Sequence, residues 1–119
     1  MALMFSGCDT VQRVSVSRPI PAGLDRTCVI EVLRMEEVVR EVGVGAAGNV
    51  YAELIIPQNL GYGGEFTVGV EERKNDDGEL ELIFENNWVG PSLRPEYRAY
   101  LEKTLTDLRD RTIERCGSK

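Results

Sequence analysis

Apolar residues alternate with polar ones in four stretches of the chain and recur at helical spacing in two. Val14, Val16 and Ile20 alternate with Arg13, Ser15 and Ser17, which predicts a half-buried strand from about Val11, stopped by Pro19 and Pro21. Ala22-Gly23 then reads as a turn. From Leu24 to Arg40 the period changes. Val29, Val32 and Leu33 form an apolar helical stripe, with Arg26, Glu31 and Arg34 pointing away and Asp25 where a carboxylate favours a helix start. Cys28, Val32 and Met35 stand at i, i+4 and i+7, which puts Cys28 at the edge of that stripe. The run Val38-Val39-Arg40-Glu41-Val42 fits a helix end and a short strand equally well.

Three more strands follow. Val50, Ala52, Leu54 and Ile56 share one face of the stretch 49–56, and Phe66, Val68 and Val70 share one face of 65–73. Leu80, Leu82 and Phe84 oppose Glu79, Glu81 and Glu85 over 79–87. Asn75-Asp76-Asp77-Gly78 between the last two predicts a hairpin, because Gly accepts positive φ. Pro95 opens a second helix at its first turn, Glu96 suits the positive end of its dipole, and Tyr97, Leu101, Leu105, Leu108 and Thr112 recur three or four apart. Gly117 suits the end of that helix. Each strand has one apolar and one polar face, and each helix has one stripe to bury. The expected fold is α+β, in the order β-α-β-β-β-α. It is a two-layer sandwich with a four-stranded, mostly antiparallel sheet and both helices on one face. Residues 11–117 form one domain, and residues 1–10 a leader remnant and tether.

Composition narrows the function. With 119 residues the chain holds one modest core. Its 14 Lys and Arg against 20 Asp and Glu give a net charge of −6, a poor basis for binding nucleic acid. There is no His, which removes the commonest general base, the usual zinc ligand and any histidine triad. No apolar stretch reaches the roughly 20 residues of a membrane helix.

The apolar start Met1-Ala2-Leu3-Met4-Phe5 runs into Ser6-Gly7-Cys8. Phe5-Ser6-Gly7-Cys8 resembles the lipobox of bacterial lipoproteins, in which an apolar residue and two small residues precede a Cys that becomes lipidated and begins the mature chain. Phe5 stands where Leu is usual, and the charged and most of the apolar parts of the leader are missing, as a start upstream of Met1 would explain. The resemblance implies a lipid anchor at Cys8, a place in the bacterial cell envelope on the periplasmic side, and the membrane as a partner. Asp9 resembles the inner-membrane retention signal of enteric lipoproteins.

Cysteine parity points the same way. Three Cys leave one over in an exported protein. With Cys8 lipidated, Cys28 and Cys116 remain as a pair. Cys28 lies one turn into the first helix and Cys116 closes the second. Side-by-side antiparallel helices bring these ends together, so a disulfide is expected under oxidising conditions.

Other chemistry is thin. Gly43-Val44-Gly45-Ala46-Ala47-Gly48 matches G-x-G-x-x-G, but a strand-like segment follows where a dinucleotide site needs a helix, so a flexible connection is expected. Glu71, Glu72, Asp76, Asp77, Glu79, Glu81 and Glu85 are read as a solvated strand face and turn, since the spacing before Gly78 is not that of a calcium loop. No catalytic pair, metal set or cofactor motif stands out. Tyr62, in Gly61-Tyr62-Gly63-Gly64, and Trp88, after Asn86-Asn87, are the candidate contacts for an envelope protein partner; Trp88 either caps the core or stands at the sheet rim. The expected role is a non-catalytic binding or interaction module. The alternatives are a soluble cytosolic enzyme or small-ligand-binding domain with an acidic pocket, and a structural subunit pairing through a sheet edge.

Overall fold

The computed structural model describes residues 10–55, 65–90 and 94–117. Its elements run β1 (Thr10–Pro19), α1 (Arg26–Arg34), β2 (Val39–Val44), β3 (Val50–Ile55), β4 (Glu65–Lys74), β5 (Leu80–Gly90) and α2 (Pro95–Cys116). The sheet has five strands rather than the expected four, in the order β1-β5-β4-β3-β2, and every neighbouring pair is antiparallel. The additional strand is β2. Its ambiguous valine run becomes a strand because α1 ends early: Met35 caps it, and a turn through Glu36 follows, with the Val39 N–H donating to the Glu36 carbonyl at 3.0 Å. Beyond that turn, Val39, Val42 and Val44 are β-branched and suit an extended chain. Met35 is correspondingly not part of the buried stripe but is 72% exposed. β1 also begins one residue earlier than expected, inside the supposed tether.

One core joins the layers. Val14, Val50, Ala52, Leu54, Phe66, Val68, Val70, Leu82 and Phe84 from the sheet pack with Val29 and Leu33 of α1 and with Tyr97, Leu101, Leu105 and Leu108 of α2. Tyr97 meets Phe66 edge-on, with ring centroids 6.3 Å apart. Thr112 continues the α2 stripe fully buried, and its hydroxyl donates to the Leu108 carbonyl at 2.7 Å, so the buried polar group is satisfied. α1 packs over β2 and β3, α2 over β1 and β5, and the helices touch each other.

The other sheet face carries ion pairs as well as the buried Ile83. Arg13 and Arg73 both reach Glu85, at 3.3 and 3.7 Å, and Arg40 reaches Glu53 at 3.1 Å. The Tyr51 ring lies over Gly43 on the neighbouring strand, where a Cβ would come within 2.5 Å of the phenol oxygen.

The β2–β3 and β4–β5 hairpins share one geometry. In each, the N–H of the first turn residue donates to the carbonyl of the fifth (Gly45 to Asn49, 2.8 Å; Asn75 to Glu79, 2.8 Å), and the fourth is a glycine at positive φ, Gly48 at 91° and Gly78 at 83°. Asn75 organises its own turn, its side-chain oxygen accepting from the Asp77 and Glu79 N–H groups at 2.9 and 3.0 Å.

Arginines of α2 bind it to the rest. Arg98 and Arg109 donate to the Arg13 and Ser17 carbonyls of the edge strand β1, at 3.4 and 2.9 Å. Arg109 and Arg18 converge on Asp110. Partial burial pushes the Asp110 carboxyl up, but hydrogen bonds and charge from Arg109 and Arg18 outweigh it and hold the pKa below its usual 3.8. Arg111 forms a two-pronged pair with Glu36, at 2.8 and 2.7 Å. That hydrogen bonding raises the Arg111 pKa above its usual value and ties α2 to the link between α1 and β2.

Candidate functional site

The helix ends do meet. Asp25 caps α1, its carboxylate accepting from the Cys28 N–H at 3.2 Å. α2 ends at Cys116, with the Gly117 N–H bonded to the Ile113 carbonyl at 2.7 Å. Cys28 and Cys116 are joined as a disulfide with their Cα atoms 5.8 Å apart. Both cysteines are half-buried, and Cys116 packs against the core.

Beside this junction, a cleft of about 310 Å³ opens between the start of α1, the β2–β3 turn and the end of β4. Its floor is the inner sheet face where α1 leaves it uncovered, Val50, Val70 and Leu82, with Val29 of α1 and Leu24 at the side. Its rim is charged. Arg26 is the first residue of α1, and its guanidinium donates to the Gly48 carbonyl at 2.6 Å. Opposite, Glu72 pairs across the sheet with Leu82 and so points to the helix side, where its carboxylate accepts from the Leu24 N–H at 2.7 Å. Glu71 also borders the cleft, but it pairs with Arg73 at 3.4 Å.

Two glycines shape this rim. Gly48 turns at positive φ, which presents its carbonyl to Arg26. A Cβ on Gly23 would sit 3.1 Å from the second oxygen of Glu72, so the missing side chain leaves room for that carboxylate.

Sequence reading missed this cleft because its parts are distant in the chain. One signal was present: Arg26 puts a cation in the first turn of a helix, where the dipole disfavours it. The G-x-G-x-x-G string is a connection, as expected: it forms the end of β2 and a hydrogen-bonded turn, and β3 rather than a helix follows it. β5 runs past the expected end at 87 to Gly90, and Trp88 pairs with Gln12 within it. Cys8 and Tyr62 lie outside the described residues. Among the described residues, no group of three His, Cys, Asp or Glu is placed to hold a metal, and no helix is long and apolar enough to cross a membrane. No protein-family model matches the chain, and no curated protein matches it.

Proposed function

We propose that the chain is the folded domain of a small bacterial cell-envelope lipoprotein, anchored through Cys8, that acts as a non-catalytic binding module. The observation that carries this reading is the bond between Cys28 and Cys116, since disulfides form and persist in oxidising compartments. It also accounts for cysteine parity, leaving Cys8 alone for the lipid. β1 begins two residues after Cys8, so an anchor there holds the domain within about 7 Å of extended chain from the bilayer, at the start of its edge strand. Asp9 favours the inner membrane, by its likeness to the enteric retention signal.

The cleft supports binding as the role. Two of its charged groups, Arg26 and Glu72, are held by backbone partners, which suits fixed recognition of a ligand. The same cleft favours the small-ligand part of the second reading, a binding domain with acidic groups at its pocket.

The test is to alkylate the chain inside its native compartment before lysis and then to weigh it with and without reductant. The expected result is a diacylglyceryl-type mass at Cys8, lost in Cys8→Ser, and two further thiols that appear only after reduction. Three free thiols before reduction overturn the reading.

A further inference from the structure

We infer that the cleft at the start of α1 takes the zwitterion of an apolar α-amino acid, as a free molecule. This deepens the binding role above and rests on it. Size sets the first limit. A cleft of about 310 Å³ stands at the low end for small-molecule sites, which suits a small ligand.

Charge sets the second. Arg26 spends one nitrogen on the Gly48 carbonyl, which fixes the guanidinium at the rim and leaves the rest of its donor fork for a planar carboxylate. One oxygen of Glu72 takes the Leu24 N–H, and the other stands above Gly23, where no side chain covers it. That oxygen suits an ammonium. A lone anion would meet the repulsion of Glu72, and a lone cation that of Arg26, so a ligand carrying both charges fits the pair. The floor and side add the third limit. Val29, Val50, Val70 and Leu82 are aliphatic, and among the described residues no aromatic one lines the cleft, so a branched aliphatic side chain is the matching group.

The sequence bends one local rule here, a cation in the first turn of a helix, and that cation is held by the Gly48 carbonyl. Sites that bend such rules are where function is expected.

The experiment is amide NMR titration of the oxidised full chain with L-leucine, against N-acetyl-L-leucine, L-leucine amide and glycine as probes. Leucine is expected to give saturable shifts at the Leu24, Gly48, Val50 and Val70 amides. Each of the other probes, lacking the ammonium, the carboxylate or the apolar chain, is expected to bind at least tenfold more weakly. Arg26→Gln then removes the preference for leucine over its amide, and Glu72→Gln, which keeps an acceptor for the Leu24 N–H, removes the preference over the acetylated form. No saturable shift at those amides up to the solubility of leucine overturns the proposal, and so does equal affinity for all four probes. Because the probes are compared on the unaltered chain, a variant that folds poorly leaves that comparison intact. The mass and thiol readout at Cys8, Cys28 and Cys116 is independent of this result.

Discussion

Removing the link between Cys28 and Cys116 takes away the one covalent tie between the two helices. The two residues are separated by 88 positions. Chain-entropy reasoning gives a loop of that length about 4–5 kcal/mol of stabilisation near 25 °C, chiefly by limiting the unfolded chain. A domain of this size has about 5–15 kcal/mol in total, so the link is a large part of its stability. The variant Cys28→Ala/Cys116→Ala is the clean perturbation, because Cys116 touches the core and alanine introduces no polar group there. Urea unfolding followed by far-UV circular dichroism is the assay. At a slope of about 1–2 kcal/mol per molar urea, the midpoint falls by roughly 2–5 M, and the slope itself increases because the unfolded chain expands. Reductant added to the unaltered protein is expected to give the same loss. A loss below about 1 kcal/mol, with an unchanged slope, would show that the link adds little to the fold.

Three further outcomes are expected. Arg109→Ala removes a donor from the Ser17 carbonyl on the edge of β1 and a partner from Asp110, so it exposes a pairing edge; light scattering is expected to show concentration-dependent association, and a strictly monomeric mass refutes the edge role. Asp110 has a lowered folded-state pKa, so its contribution is present above the unfolded value of 3.8 and is lost as the pH falls through the folded value. Asp110→Asn is therefore less stable than the parent near neutral pH, and the difference closes below 3.8; urea midpoints across that range check it, and a gap that does not change with pH refutes it. Gly78→Ala meets no neighbour within 4 Å, so only the positive φ opposes it, at about 1 kcal/mol, whereas Gly43→Ala drives a methyl group into the Tyr51 ring and costs more; thermal melting ranks the two.

Much of this fold was legible in local pattern. The α2 stripe from Tyr97 to Thr112 is buried as its spacing predicts, because Pro95 sets its start and no competing β-branched run interrupts it. The hairpin at Asp77-Gly78 and the paired cysteines follow from chemistry that acts over a few residues or one parity count. β2 was ambiguous because Val38 and Val39 serve helix and strand patterns alike, and only pairing with β3 decides between them. Met35 had stripe spacing, but as the cap of α1 it lies beyond the last buried turn. The cleft was illegible for a different reason. Arg26, Gly48 and Glu72 come from three separate elements, and no window of sequence contains their meeting.

The place of β1 governs the order of assembly. β2 to β5 form a meander of neighbours in sequence, and they can zip from hairpins as soon as they are made. β1 finds its partner some 80 residues later, where Thr10 meets Gly90, and its outer edge is covered only once Arg98 and Arg109 exist. The earliest of the five strands in sequence is therefore the last to gain its partner. Until then it is an unpaired strand that needs a holding partner or rapid completion of the chain.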